Sequence, residues 1–210
     1  MGNVGIEKSM SLDGYITGPN PGPDNPLGDG GDAIFGWMMA PQPETPGQDG
    51  TRPLSEEYDE HIGASLSSTG AVIMGKRMFE IIYGPNGWVA PDGTAFPWPV
   101  FVLTHEVREP ETRGITRFTF VNDGPERALE LAGSVAGNKN IGIAGGNTCQ
   151  QFVAAGLVDE IRIHVVPVFL GGGVRLFDNL GTAGRLDVAD VQAGNGATHL
   201  TFRFAPAGGA

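Results

Sequence analysis

The sequence predicts an α/β fold in which a mostly parallel central sheet has helices on both faces and an antiparallel C-terminal end. Between residues 55 and 170, apolar segments typical of buried strands alternate with helical patterns, which favours parallel strands joined by helices. The last two strand-like segments, at about 186–191 and 199–204, have no helix between them and predict the antiparallel end. A chain of 210 residues can bury one substantial core, so we expect a single domain over residues 1–210.

The N-terminal quarter combines one strand with a long insertion. Residues 5–16 indicate a strand with a turn at Asp13 and Gly14. A Pro/Gly-rich loop insertion follows at about 17–53, and a connection of this length is usually a functional loop or a disordered segment. An apolar island at 33–39 predicts that its middle docks onto an apolar surface. An active-site cover and a variable surface excursion both remain open for this insertion.

A helix, a strand and a second helix are predicted after the insertion. Ser55 is suited to cap a helix over residues 55–68, because its hydroxyl can accept a hydrogen bond from an amide of the first turn. Acidic residues fill that turn, where the helix dipole favours negative charge. A buried strand at 71–74 and a helix at 77–83 follow.

The second half continues the alternation. The predicted elements are strands at 100–104 and 118–121, a helix at 125–136, a strand at 140–146, a helix at 148–155 and a long strand at 158–170 broken at Pro167. Three glycines at 171–173 then indicate a loop before the closing strand pair.

Composition excludes several classes of function. The net charge of −11 would repel nucleic acid and anionic membranes, so we expect neither as a partner. No apolar stretch approaches the roughly 18 residues that a membrane span needs. The single cysteine, Cys149, excludes an internal disulfide and suits a reducing cytoplasm. The four histidines lack the spacing of metal ligands, so we expect no metal site.

One motif resembles a nucleotide-triphosphate loop but fails on two counts. The segment from Gly70 to Lys76 has the pattern G-x-x-x-x-G-K. Arg77 stands where that loop needs a Ser or Thr to hold magnesium, and the four middle residues indicate a buried strand. A P-loop site is therefore excluded.

Polar and glycine residues follow three of the predicted strands. In an open α/β sheet, ligands bind beyond the carboxyl ends of the strands, and helix N-termini suit phosphate. Each segment alone is more typical of a simple turn or a solvated helix start, but together they predict a site for an extended polyanion such as a dinucleotide. The residues are Gly75, Lys76 and Arg77; Thr104 and His105; and Gly145, Gly146, Asn147 and Thr148.

The order of motifs resembles the dihydrofolate reductase-like superfamily, most closely the branch that contains the riboflavin-pathway reductase domain. The segments that carry the resemblance span roughly residues 5–178 and are SMSLDGYI, VIMGKRMFE, VFVLTH, GIAGGNTCQQF and VDEIRIHVVPVFLGGGVRLF. The resemblance implies a three-layer dihydrofolate reductase-like fold that binds NADPH across the strand ends.

The resemblance also assigns roles to particular residues. It implies that Gly75, Lys76 and Arg77 contact the phosphates of NADPH, with Thr104 and His105 beside its adenosine end. It places Gly145, Gly146, Asn147 and Thr148 beside the pyrophosphate, and Ser9, Ile16 and Gly18 at the nicotinamide.

The implied function is reduction of a pteridine- or pyrimidine-like heterocycle, as in dihydrofolate reductase and 5-amino-6-(5-phosphoribosylamino)uracil reductase. The alternative is a non-catalytic nucleotide-binding member of the same fold. Two positions depart from the family pattern: Met78 stands where a Thr is frequent, and Glu7 stands where the riboflavin-pathway enzymes commonly have a lysine. A carboxylate at position 7 disfavours a negatively charged phosphoribosyl substrate.

Two acids are candidates for the proton donor that such a reduction needs. Asp59 lies sixteen residues before Gly75, which resembles the spacing of the catalytic carboxylate in bacterial dihydrofolate reductases. It is equally suited to be a helix-start acid. Asp13 is the second candidate, although its Asp-Gly context mainly indicates a turn.

We also expect a homodimer. Relatives pair through the end of the sheet, and the strand RIHVVPVFL is too apolar to be comfortable at an exposed edge.

Overall fold

The computed structural model describes residues 2–39, 54–82, 89, 95–181 and 184–204. Within these residues, nine strands form one central sheet in the order β10-β11-β8-β1-β7-β3-β4-β6-β5, and β2 pairs with β9 in a small second sheet. The strands are β1 Val4–Ser11, β2 Tyr15–Thr17, β3 Thr69–Gly75, β4 Val100–Leu103, β5 Glu111–Arg113, β6 Thr116–Val121, β7 Asn140–Ala144, β8 Glu160–Val166, β9 Val174–Arg175, β10 Leu186–Ala193 and β11 Thr198–Phe204.

The helices lie between these strands. They are a 3-10 helix at Gly31–Met38, α1 Glu56–Tyr58, a π-helical turn at Asp59–Gly63, α2 Ala64–Ser68, α3 Lys76–Ile82, α4 Pro125–Ala136 and α5 Gly146–Ala154. The first α-helix, the π-helical turn and the second α-helix run without a break, so we call them together the 56–68 helix.

The predicted fold class is confirmed. Strands β8, β1, β7, β3, β4 and β6 are parallel to their neighbours in that series, whereas β11, β10 and β5 pair antiparallel. One face of the sheet packs on α4 and α5 through a large apolar cluster that includes Ile73, Ala132 and Phe152. The opposite face carries a second cluster around Met74 and Phe79. The sheet therefore lies between two helical layers.

Capping begins the 56–68 helix as predicted. The amide of Tyr58 donates to the Ser55 hydroxyl oxygen at 3.0 Å, and that hydroxyl donates in turn to the carbonyl of Trp37 at 2.8 Å. One side chain thus starts the helix and ties it to the 3-10 helix. The π-helical turn in the middle of the helix is a feature that the sequence did not predict.

The apolar island of the insertion docks as predicted. Ile34 and Trp37 are buried in a cluster with Val166 and Ala197, at the antiparallel end of the sheet. Residues 40–53, the rest of the predicted insertion, lie outside the described residues.

The premise that β8 is an exposed strand is wrong. Strand β8 lies inside the sheet, where it pairs with β1 on one side and β11 on the other, so its apolar sequence is explained within one chain. The strand at that end of the sheet is β10, where Val188 and Val191 are 63% and 58% exposed. Within the part of the chain that the structure describes, no helix combines the length and apolar character needed to cross a membrane.

Candidate functional site

The three strand ends singled out in the sequence meet at one edge of the sheet. Strand β3 lies between β7 and β4, and its register aligns Met74 with Ala144 and Gly75 with Leu103. Because the three strands are parallel, the segments that follow them emerge side by side.

The ends of β3 and β4 are joined by an ion pair. The Lys76 ammonium lies 2.5 Å from a Glu106 carboxylate oxygen and 3.5 Å from one of Glu80. The Glu106 hydrogen bond raises the pKa of Lys76 above its ordinary value. The Glu106 amide donates to the Thr104 hydroxyl at 3.1 Å, which places Thr104 and the exposed His105 beside Lys76.

The neighbouring cation, Arg77, is less constrained by ion pairs than Lys76 is. It is exposed, and among the described residues no ion pair or hydrogen bond is found for its guanidinium. The Lys76 charge is largely balanced by Glu106 and Glu80. Arg77 is therefore the better placed of the two to meet a ligand phosphate.

The β7 end forms a glycine turn into α5. Gly145 has a φ of +87°, which favours glycine, and no side chain caps the helix that begins at Gly146. The amides of the first helical turn are thus open to an acceptor. A Cβ atom at Gly75 would lie 2.8 Å from the buried Thr148 hydroxyl oxygen, so the turn sits tightly against the end of β3. Asn147 is exposed and accepts a hydrogen bond from Gln151.

The small β2–β9 sheet closes the other side of this turn. A Cβ atom at Gly146 would lie 2.7 Å from the Val174 side chain and 3.3 Å from that of Ile16. The Gln150 amide donates to the Arg175 carbonyl at 2.9 Å. Ile16, predicted at the nicotinamide, therefore lies beside the turn predicted at the pyrophosphate.

Backbone packing surrounds Gly18. Its amide donates to the Leu27 carbonyl at 2.8 Å, and a Cβ at Gly173 would come within 1.9 Å of the Thr17 carbonyl oxygen. The neighbouring Thr17 hydroxyl is buried and has no hydrogen-bond partner within the described ranges. The Gly18 amide is therefore already hydrogen-bonded within the protein, whereas the Thr17 hydroxyl is a polar group that a ligand could bind.

The Asp13 carboxylate connects the turn after β1 to the loop after β8. Its carboxylate accepts hydrogen bonds from the Ser11 hydroxyl at 2.6 Å and from the amides of Leu170 and Gly171 at 3.2 and 2.8 Å. The Ser11 hydrogen bond is the main reason that the pKa of Asp13 lies below its ordinary value. An ionised carboxylate held by three donors is poorly suited to give up a proton.

Asp59 is the first residue of the π-helical turn, and its side chain lies outside the described residues. Its role as proton donor therefore stays a prediction.

Ser9 lies near the carboxyl end of β1, which is parallel to β7. It is buried on β1, and its hydroxyl oxygen accepts a hydrogen bond from the Trp37 indole at 2.9 Å. In the strand register it is opposite His164 of β8, which is opposite His199 of β11. Ser9 thus belongs to a polar cluster under the 3-10 helix.

We call Glu7, Glu57, His164 and His199 the histidine–glutamate chain, a group that sequence reasoning missed. The Nδ1 atoms of His164 and His199 lie 2.7 Å apart. His199 Nε2 lies 2.8 Å from a Glu57 carboxylate oxygen, and His164 Nε2 lies 3.3 Å from one of Glu7.

Burial and charge set the protonation of this region. Burial lowers the pKa of His199, and the Glu57 hydrogen bond only partly opposes this. His61 stacks on His199 with ring centroids 3.6 Å apart, and burial is the main cause of its lowered pKa. In the described part of the chain, no group of three or more His, Cys, Asp or Glu side chains is arranged to hold a metal ion.

A cavity of about 310 Å³ lies between the 56–68 helix and the face of the sheet that carries Glu7. It runs along β1 and β7 as far as Ala144, the residue before the glycine turn. Its aromatic lining comes from the 3-10 helix, the 56–68 helix and the segment before β4. These aromatic residues are Phe35, Tyr58, Phe96 and Trp98.

The residues at the strand ends fit a dinucleotide. The buried Thr17 hydroxyl, the uncapped start of α5 and the exposed Arg77 are polar groups near one edge that the described chain leaves unsatisfied. Arg175, which sequence reasoning missed, adds a cation beside them and is held to Tyr15 by a 3.0 Å hydrogen bond. Its position two residues after the triple glycine was the signal that could have identified it.

Known structures share this fold. A riboflavin biosynthesis protein from Shewanella sp. PV-4 is 22% identical, with a TM-score of 0.65 over 98% of this chain and 99% of that one. A pyrimidine reductase-like protein from Corynebacterium diphtheriae is 13% identical, with a TM-score of 0.58 over 97% and 92%. A search of curated proteins gives no match to the chain.

A longer protein matches over part of its length. It is a diaminohydroxyphosphoribosylaminopyrimidine deaminase/5-amino-6-(5-phosphoribosylamino)uracil reductase from Thermotoga maritima, 12% identical with a TM-score of 0.61. The match covers 97% of this chain and 57% of that protein. The family model of the RibD C-terminal domain matches residues 4–200, nearly the whole chain. The chain therefore belongs to the RibD C-terminal domain family, within the dihydrofolate reductase-like superfamily.

Proposed function

We propose that the chain is an NADPH-dependent reductase of a pyrimidine- or pteridine-like heterocycle, acting as a homodimer in the cytoplasm. The observation that carries this proposal is the position of the cavity. It ends at Ala144, directly before the glycine turn where the ends of three parallel strands meet. A cofactor along the strand ends would bring its reactive end to the Ala144 end of the cavity.

The strand ends supply the binding groups for the cofactor. The open amides at the start of α5 suit the pyrophosphate, and Arg77 suits a further phosphate group. In a chain with a net charge of −11, such local cations decide where an anion binds. When bound, NADPH supplies the hydride for the reduction.

The cavity suits a flat ring. Phe35, Tyr58, Phe96 and Trp98 provide aromatic surface, and Glu7 provides a carboxyl group that can hydrogen-bond to a ring heteroatom. A mostly apolar pocket with a few polar groups is typical of small-molecule sites. Glu7 also disfavours a substrate phosphate close to β1, so we expect an uncharged heterocycle to be preferred over its phosphorylated form.

Binding and turnover separate the reductase from the non-catalytic alternative. NADPH and NADH would be titrated by quenching of tryptophan fluorescence, and oxidation of NADPH would then be followed with dihydrofolate and with aminouracils, each with and without a phosphoribosyl group. Turnover with any of these heterocycles supports the proposal. Tight NADPH binding with no turnover would instead support a nucleotide-binding protein.

A further inference from the structure

The histidine–glutamate chain contains three consecutive gaps, each between two atoms that can accept a hydrogen bond. The first is Glu7 Oε1 to His164 Nε2 at 3.3 Å, the second is His164 Nδ1 to His199 Nδ1 at 2.7 Å, and the third is His199 Nε2 to Glu57 Oε1 at 2.8 Å. Both rings are buried, with 2% and 6% of their surface exposed. Water therefore cannot easily satisfy these atoms.

The number of protons held by the histidine–glutamate chain follows from these three atom–atom gaps. Each gap needs one proton, because two facing lone pairs would repel each other and leave buried acceptors unsatisfied. Two neutral imidazole rings bring two protons, and two carboxylates bring none. One further proton must therefore be held by these four side chains.

The further proton belongs at the Glu7 end. His199 is neutral because of its burial, so its Nε2–H donates to Glu57 and its Nδ1 accepts from His164 Nδ1–H. His164 Nε2 and Glu7 Oε1 then remain, and both are buried atoms with no hydrogen-bond partner among the described residues. These two atoms lie 3.3 Å apart without forming a hydrogen bond as placed, and a proton on either of them would give the other a donor to face.

The neighbouring charged side chains do not take the place of this proton at Glu7 and His164. Arg162 lies opposite Glu7 in the strand register, but its guanidinium is bound to Glu160 at 2.8 Å. The Lys8 ammonium donates to the Glu7 backbone carbonyl rather than to its carboxylate. On the side of the 56–68 helix, His61 stacks on His199, and Glu60 adds negative charge near both rings.

We propose that Glu7 is the catalytic acid of the reductase and that His164 is a positioning residue that shares its proton. This inference rests on the proposed function. Glu7 is the member of the histidine–glutamate chain that lines the cavity, so its carboxyl group can contact a ring bound there. The other three members are not among the residues that line the cavity.

The reduction adds one hydride and one proton to the bound ring. Hydride from the dihydronicotinamide forms a new bond to the carbon of a ring C=N or C=O group, and the π electrons of that group move to the heteroatom. The proton held by Glu7 and His164 forms the new N–H or O–H bond there. The ring is reduced by two electrons, the nicotinamide is oxidised, and a proton from solvent restores Glu7 after the product leaves.

The first test measures the proton without any substrate. Nitrogen NMR of isotope-labelled histidine should show His164 protonated at Nδ1, His199 protonated at Nε2 alone, and one proton shared between His164 Nε2 and Glu7. In Glu7→Gln the amide can donate to His164 Nε2, so the signal of the shared proton should vanish while the fold is kept. A wild-type His164 Nε2 that neither carries nor accepts such a proton would overturn the assignment.

The second test measures turnover. Glu7→Gln should lower kcat by about 100-fold or more, the usual contribution of a general acid, and leave the Kd for NADPH nearly unchanged. Wild-type kcat should fall as pH rises and the shared proton is lost, and the profile of the variant should lack this fall. His164→Gln should shift the same profile, and Glu109→Gln, an exposed control, should do nothing.

The outcomes separate the two proposals. If the wild type oxidises NADPH with a heterocycle and Glu7→Gln keeps a tenth or more of kcat, Glu7 is not the acid and the reductase stands. If the wild type reduces none of the heterocycles, the reductase fails, and the acid role of Glu7 fails with it.

Discussion

The rings of His164 and His199 face each other through their Nδ1 atoms, 2.7 Å apart, in a buried position between strands β8 and β11. At this distance one ring must donate and the other accept, so both Nδ1 atoms cannot carry protons at once. The pair therefore resists full protonation, and Glu57 holds the second nitrogen of His199.

The first prediction concerns stability at acid pH. Folding lowers the pKa of both His199 and His61, mainly through burial, from an ordinary value of 6.5. Below about pH 6.5 the unfolded chain binds more protons than the folded one, so the free energy of unfolding should fall as pH decreases through that range. Urea unfolding between pH 7.5 and about 5 measures this. His199→Gln should flatten the slope, and an unchanged slope would contradict the assignment.

The second prediction concerns the Glu57–His199 contact. A Cβ at Gly194 would lie 2.0 Å from Glu57 Oε1 and 2.8 Å from His199 Nε2. Gly194→Ala should therefore separate the two groups and destabilise the fold by about 1–3 kcal/mol. Gly22→Ala is the matched control, since nothing lies within 4 Å of a Cβ there. Equal thermal stability of the two variants would show that the Glu57–His199 contact does not contribute to stability.

The third prediction concerns cofactor choice. Arg77 is the exposed cation at the β3 end, and we expect it to pair with the 2′-phosphate of NADPH. Arg77→Ala should weaken NADPH binding roughly 10-fold and NADH binding much less. Arg127→Ala, in α4, serves as the control. An equal loss for both cofactors would show that Arg77 does not contact the 2′-phosphate.

The fourth prediction compares two acids. Asp59 is the donor that the family spacing predicts, whereas the histidine–glutamate chain favours Glu7. We expect Asp59→Asn to lower kcat by less than Glu7→Gln does, with the Kd for NADPH nearly unchanged in both. Single-turnover rates measure the difference. The reverse order would return the acid role to Asp59.

The fifth prediction concerns assembly. Strand β10 exposes Val188 and Val191 at one end of the sheet, and we expect this strand to lie in the interface of a homodimer. Changing both valines to lysine should yield a monomer by light scattering. Val107→Lys, at a residue that is 88% exposed, should leave the dimer intact. A wild-type monomer at micromolar concentration would end this proposal.

Local patterns in the sequence determined the fold and the edge of the sheet that we propose as the ligand site. The apolar runs of β3, β4 and β7, and the residues that follow them, are local features, and parallel strands bring such ends together by necessity. Helix α4 was predicted with its observed bounds, because Pro125 and Gly137 mark its two ends. The strand β5 was missed because its three residues, Glu111–Arg113, are polar and carry no apolar alternation.

The tertiary structure alone decided the neighbours of individual side chains. Glu7, Glu57, His164 and His199 come from four distant parts of the chain, and strand register and helix docking bring them together. The same register placed β8 inside the sheet, where its apolar residues need no second subunit. Periodicity reports which face of a strand a residue occupies. Contacts across strands depend on long-range pairing, which no local pattern encodes.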